Sequence, residues 1–397
     1  MTLMKEMLST TATKAFLSIV MGFLVGAIFM MVSSEDVGEA WQSGGLLEAF
    51  QAALMTVADG YGALFRGAIF NTRADDLVTA MRPLTETFRL AGPLIAAGLG
   101  ISLGFRVGLF NIGGNGQMIF GILWATWVST RLELPLVLHM VVAVIAAILG
   151  AALWGALVGF LKAQTGAHEV ILTIMLNYVA ISLFTWFIRS PALLQNPDAG
   201  GTPKSDAPAL TAQLPALFPG SYSLHLGFVM ALLATFFYWW LMERSAVGYR
   251  FRMVGQNPHA ARTAGISVER TYVWAMAASA AFVGVAGANQ ALGTQVGYTQ
   301  TIHAGIGFDG ITVALLGGGN AVGIFFAGLL FGAFKAGGPQ MQVLGISPEV
   351  LGIVQGAIVL FIAAPPLVRA IFRLPMMTKT PVLDRLRTKL RRKETSA

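Results

Sequence analysis

An all-α fold, a polytopic membrane protein, is the class this sequence predicts, and three observations predict it. Only 11% of the 397 residues are charged, where soluble domains carry roughly 25%. Mean hydropathy is +0.69. Several apolar runs reach the ~20 residues a helix needs to cross a bilayer. The expected architecture is about ten transmembrane helices with broken or re-entrant segments, and with both termini cytoplasmic. The chain has no cysteine, which excludes disulfides, zinc–thiolate sites and iron–sulfur clusters. The net charge of +7 reads as cytoplasmic-loop bias and contact with anionic lipid rather than nucleic-acid binding.

The elements follow in order. Residues 1–14 are a short cytoplasmic N-terminus with Lys5 and Lys14. Ala15 to Val32 is the first span. A cleaved signal peptide is the competing reading, but the run exceeds the usual h-region of about 7–15 residues and no A-x-A site follows. Residues 15–364 are expected to form a single transmembrane domain. Its segment 33–89 is expected to lie outside, with Leu46, Leu47, Phe50, Leu54 and Val57 at helical spacing as an interfacial amphipathic helix. Leu90 to Phe105 is the second span and carries Pro93. Then comes Gly108-Leu109-Phe110-Asn111-Ile112-Gly113-Gly114-Asn115-Gly116-Gln117. Its glycines and side-chain amides make a poor helix. In a membrane such backbone must be buried in protein or face a wet cavity.

Met118 to Thr130 is a short third span, and Leu136 to Leu161 a long fourth one with a G-x-x-x-G at Gly155 and Gly159, suited to close helix packing. Val170 to Ile188 is the fifth, with Asn177 at its middle. Residues 190–223 hold six prolines and no period, and form a second outer loop. Leu224 to Met242 is the sixth span. Residues 243–270 form a basic inner loop with Arg244, Arg250, Arg252, Arg262 and Arg270. Thr271 to Ala291 is the seventh. Gly305 to Gly317, Gly323 to Ala336 and Val350 to Ala364 supply three more apolar segments, the first two separated by a break at Gly317-Gly318-Gly319-Asn320. Residues 365–397 are a basic cytoplasmic tail, in which Leu383, Leu386 and Leu390 could form a short surface helix. With the N-terminus inside, 18 of the 26 lysines and arginines fall on the inner side, as the positive-inside rule requires. Gly100 to Leu123 and Gly293 to Leu316 also echo each other. Each places a glycine-broken polar stretch before an apolar run, the design of transporters built from repeats with the site at their interface.

Asp309 is the acid most embedded in apolar sequence, so it is either a helix cap or a substrate contact. Asn111, Asn115, Gln117, Asn177, Asn289 and Gln290 are neutral amides in or beside spans. They could line a path for a neutral solute, since amides both donate and accept, or bond helices to one another. Phe110, Tyr178 and Phe308 could stack on a ring or simply pack. No H-E-x-x-H, G-x-S-x-G or phosphate-binding loop occurs, and the five histidines have no metal-ligand spacing. The chain is therefore expected to be no enzyme, to bind no cofactor or metal, and to take any energy of ATP from a partner.

Four segments together resemble one family. These are the glycine-amide stretch, His168-Glu169-Val170-Ile171-Leu172-Thr173-Ile174-Met175-Leu176-Asn177-Tyr178, Gly255-Gln256-Asn257-Pro258-His259-Ala260-Ala261-Arg262-Thr263-Ala264-Gly265-Ile266, and Gly307-Phe308-Asp309-Gly310-Ile311-Thr312-Val313-Ala314-Leu315-Leu316-Gly317. They resemble the membrane subunits of bacterial ABC importers for branched-chain amino acids, ribose and nucleosides, and most of all the nucleoside or simple-sugar branch. Asn115 stands where that family usually has glutamate, and His168 where it has asparagine. The resemblance implies a subunit of the bacterial cytoplasmic membrane. A solute-binding protein, periplasmic or lipid-anchored, would deliver solute to the outer face, and a second permease subunit, often a different chain, would form the path together with this one. ATP-binding subunits using ATP and Mg would dock on Gly255, Asn257, Pro258, Ala260, Ala261 and Gly265. Nucleosides are the expected cargo, with simple sugars or branched-chain amino acids as alternatives. A secondary transporter driven by an ion gradient would be expected to bury more acids than Asp309.

Overall fold

The computed structural model describes residues 11–364, apart from 219, 221, 294 and 295, together with residue 371. The first ten residues and the proposed tail helix lie outside the described residues. The described residues form helices α1 (Thr11–Ser33), α2 (Glu35–Ala68), α3 (Leu77–Arg106), α4 (Gly114–Arg131), α5 (Leu136–Thr165), α6 (Glu169–Arg189), α7 (Gly227–Arg244), α8 (Ala246–Gln256), α9 (Pro258–Thr263), α10 (Val268–Leu292), α11 (Ile306–Leu316), α12 (Ala321–Val343) and α13 (Glu349–Ala363). No strand occurs among them, only isolated bridges at Gln195–Ser205 and Ala216–His225.

Six helices are long and apolar enough to cross a membrane alone: α3, α5, α6, α10, α12 and the Ala15–Ser33 part of α1. The helices α4, α7, α11 and α13 continue the alternation between the same two faces, so the chain runs back and forth in the way ten spans would. The described ends, Thr11 and Ala363, lie on one face, because α1 packs antiparallel to α13 through Gly22 on Ile358 and Gly26 on Val354. That face also carries α8 and α9, and is called the loop face below. The opposite face carries the starts of α3 and α5.

The outer segment differs from the sequence expectation. The second span begins at Leu77 rather than Leu90, because Asp76 caps it by accepting from Thr79 N at 2.9 Å. Segment 33–89 is thus mostly helix. α2 joins two ends on the same face and kinks at Gly45, whose φ of 74° only glycine adopts readily. Leu46, Leu47, Phe50 and Leu54 stay exposed on it, while Ala53, Gly60 and Leu64 pack inward.

Small residues bring the long helices together. Without water to expel, helices in lipid associate through close van der Waals contact. Gly155 and Gly159 of α5 lie on α10, where a Cβ would come 2.4 Å from Met276 O and 2.7 Å from Val273 Cα. The G-x-x-x-G is therefore an internal seam. Gly121 and Gly284 play the same part where α4 and α10 meet α5. Trp154 stacks on Phe120 with centroids 3.8 Å apart. On the loop face, Arg106 ends α3 by reaching Glu243 at 2.6 Å and Gly319 O at 3.4 Å. Gly318 (φ 59°) and Gly319 (φ 75°) make the tight turn between α11 and α12 that the glycine run predicts.

His225 precedes α7 and is buried against the end of α10. Its Nδ1 accepts from Gly227 N at 3.2 Å, which requires an unprotonated nitrogen. Burial, and then the Arg89 cation, push its pKa down to about 4. A neutral group favoured by folding contributes stability above the unfolded pKa of ~6.5, and loses it as pH falls from there towards the folded value. Lowering pH from 7 to 5 should thus cost about 2 kcal/mol through this group. Thermal melting in detergent should show the loss, and His225→Gln should flatten it.

Gly307→Ala should fail. Its Cβ would come 2.3 Å from Asn115 N, and overpacking of this kind costs about 1–3 kcal/mol. Gly352→Ala, with nothing within 4 Å of the added carbon, should melt like the parent.

Candidate functional site

The two glycine-broken stretches meet inside the bundle. α3 ends at Arg106, residues 107–113 leave the helical path, and α4 restarts at Gly114. The break is shorter than the sequence suggests, since Gly114, Asn115, Gly116 and Gln117 already form the first turn of α4. α11 restarts in the same way at Ile306 after residues 293–305. The two restarts touch. A Cβ on Gly114 would lie 2.8 Å from Gly307 O. Two helix N-termini, each with a partial positive charge, thus converge at one point. Half-helix ends in transporters are used in this way to face solute.

The amides divide between bracing and openness. Asn111 and Gln117 are fully buried. They bond to each other twice, at 3.1 and 3.2 Å. Asn111 also donates to Ser279 Oγ at 2.9 Å and accepts from Gly113 N at 2.9 Å. Ser279 in turn donates to Gly100 O at 2.6 Å. These two amides brace the break. Asn177 spans the same break, accepting from Gly116 N at 2.8 Å and donating to Ile112 O at 3.1 Å. Glu169 adds a bond from Phe110 N at 3.3 Å and an ion pair with Lys162 at 2.6 Å. His168 caps α6 through Nδ1, which accepts from Val170 N at 3.3 Å. This is a task that asparagine also performs, so the departure at 168 is conservative in function.

Asn115 is different. It is buried beside the convergence, and its Oδ1 has no hydrogen-bond partner among the described residues. Asn289 Nδ2 is likewise unpaired, wedged between Gly92 and Gly227. Gln290 is half-buried next to it. Phe110 is partly exposed and stacks on Phe105 with centroids 4.8 Å apart. Tyr178 and Phe308 are exposed, on α6 and α11, and lie outside the amide network.

Asp309 neither caps α11, a position held by Gly305, nor stands alone. It pairs with Lys335 of α12 at 2.8 Å. Lys335 also approaches Ala304 O at 3.5 Å, at the turn before α11. The pair therefore ties the restart of α11 to α12 and cancels an intramembrane charge. Sequence reasoning missed Lys335, although a lone lysine within Gly323 to Ala336 was a usable signal. Ser279 had none, sitting in an alanine-rich run.

On the loop face, Asn257 caps α9, its Oδ1 accepting from His259 N at 3.0 Å and Ala260 N at 3.1 Å, with Pro258 in the first turn. Gly265 (φ 80°) ends that turn. Gly255 lies on the end of α3, where a Cβ would come 2.1 Å from Arg106 O. Ala261 is fully buried against its own chain, so of the two alanines expected at the docking surface only Ala260 is exposed, with Ala264 exposed beside it.

Asp309→Asn strands the Lys335 ammonium. Removing one partner of a fully buried pair costs about 3–5 kcal/mol. Here each side chain keeps about a quarter of its exposure, and about 2 kcal/mol is expected. The double variant Asp309→Asn/Lys335→Met should regain most of that in a detergent melt, an outcome that independent residues would not produce.

The chain is 37% identical over 355 residues to the guanosine ABC transporter permease protein NupP of Bacillus subtilis, covering 89% of this chain and 93% of that one. It is 32% identical to the nucleoside ABC transporter permease protein NupB of Lactococcus lactis, covering 87% and 89%. It is also 32% identical to the glucose ABC transporter permease protein TsgB13 of Haloferax volcanii, covering 77% and 80%. No solved structure matches it. Residues 84–363 match the family described as the permease component of the branched-chain amino acid transport system; they take in both broken helices and the turn at α9, and the chain belongs to that family.

Proposed function

We propose that this chain is the membrane subunit of an ATP-driven ABC importer and carries nucleosides. The observation that carries the reading is the likeness to guanosine and nucleoside permeases over nearly the whole chain. The chemistry agrees with it. The convergence of α4 and α11 offers a neutral amide, Asn115, and backbone N–H groups, with its one ionic pair internally cancelled. A neutral solute with several hydrogen-bonding groups meets no uncompensated charge there. A zwitterion would bring two ions, each needing a counter-charge in a dry path. A simple sugar is the second reading, favoured by the glucose permease relative.

In this reading the loop face is cytoplasmic. ATP-binding subunits, which use ATP and Mg, dock at α8 and α9 through Ala260 and Ala264. A second permease subunit completes the path, and a solute-binding protein delivers from the opposite face. α9 starts on a capped proline and stays short, so it projects as one rigid turn. Gly255 seats α8 directly on the backbone that leads into the break at 107–113, which gives ATP-driven motion a route to the solute site.

Uptake of labelled guanosine, adenosine, ribose, glucose and leucine, in a strain lacking the chain and in the restored strain, tests the assignment. Guanosine and adenosine uptake should return with the chain. Restoration of leucine uptake alone would remove the nucleoside reading. Ala260→Glu should lower uptake severalfold at unchanged membrane abundance. Ala261→Glu should lower abundance itself, since burying an unpaired carboxylate is costly in a way an exposed one is not.

A further inference from the structure

A cavity of about 1160 Å³ opens on the face opposite α8 and α9, away from the convergence of α4 and α11. Its place in the bundle is defined by span ends. The start of α3, the start of α5 at Leu136 and Val137, the end of α10 at Leu292, and the end of α12 at Val343 and Leu344 all line it. A cavity at the common end of four membrane helices lies at the depth of lipid headgroups.

Its lining is mixed in chemistry. It holds Arg66, Arg73, Arg82 and Arg89. Arg89 is committed to Glu86, which Ser223 also contacts and which the Arg82 charge also attracts. Arg66, Arg73 and Arg82 have no ion pair among the described residues, and Glu86 is the one acid in the lining. Arginine collects on the inner side in most membrane proteins, so with the loop face cytoplasmic, as proposed above, this group on the other face runs against the usual distribution. The same lining has Leu136, Val137, Val343 and Leu344, all exposed. These side chains lie at span ends, where acyl chains begin.

We propose that this cavity binds the phosphate headgroup of an anionic phospholipid, with the acyl chains along Leu136, Val137 and Val343. Guanidinium forks match phosphate oxygens in pairs. A neutral solute has no use for four arginines set against a single acid, and a small free anion has no use for the apolar residues. Only a ligand with a charged head and an apolar body uses both parts of the lining. The site stands apart from the transport assignment, and its test does not read transport.

The test is native mass spectrometry of the full chain, purified in detergent with its associated subunits and titrated with phosphatidylglycerol or phosphatidylcholine. The wild type should retain phosphatidylglycerol in preference to phosphatidylcholine. Each cation near an anionic headgroup is worth about 1 kcal/mol, or about fivefold. The triple variant Arg66→Gln/Arg73→Gln/Arg82→Gln should therefore lose about a hundredfold in phosphatidylglycerol affinity. Should that variant fail to fold, Arg82→Glu reverses one exposed charge and should lose about tenfold or more. Inorganic phosphate and adenosine monophosphate at millimolar concentration form separate arms, and neither should displace the lipid. Equal retention of the two lipids, unchanged affinity in the arginine variants, or arginine-dependent binding of the soluble phosphates without lipid would each overturn the proposal.

Discussion

The fold depends on one close contact, that of Gly114 with Gly307. It joins the N-termini of two helices that begin inside the bundle, an arrangement that would normally be penalised. Each end carries unsatisfied N–H groups and a partial positive charge, and the charges face one another. Several groups offset this. Asn177 takes up the Gly116 N–H, Asn111 that of Gly113, and Glu169 that of Phe110. Asp309 places a carboxylate in the first turn of α11, balanced in turn by Lys335. The surrounding bundle is built to hold this junction, with α3, α5 and α10 packed through glycine and alanine so that little can shift around it.

Much of this was legible before any coordinates. Shortage of charge and length of run identify a membrane protein, because both reflect the bilayer's refusal of polar groups. A break within Gly108 to Gln117 and another around Gly317 to Asn320 are visible because glycine weakens a helix wherever it clusters, although the first ends at Gly113 and not at Gln117. Long-range pairing was not legible. Nothing local marks Ser279 as the partner of Asn111, 168 residues away. Nothing in the spacing says that Asn111 and Gln117 face one another instead of a solute. The phase of α9 was equally hidden. One turn of helix gives no periodicity to read, and the burial of Ala261 beside exposed Ala260 is decided by the packing of its own chain.

The start of α3 was misread for a related reason. Residues 77–89 carry Arg82, Glu86 and Arg89, which look external by charge. They are helical because Asp76 caps the chain well before its apolar stretch begins. Arg82 is exposed and Arg89 pairs with Glu86, so no unpaired ion is buried. Hydropathy reports where a helix is apolar, and capping reports where it starts. The two need not coincide.

Gly255 leaves α8 resting on Arg106 backbone to backbone, with Gly108 immediately beside it. Side chains between two helices act as springs, since rotamers yield before helices do. Here the springs are missing. The mechanical compliance of this joint is that of the peptide units themselves. Even a single methyl group at 255 would act as a shim, 2.1 Å from Arg106 O, and would hold the two elements apart at rest.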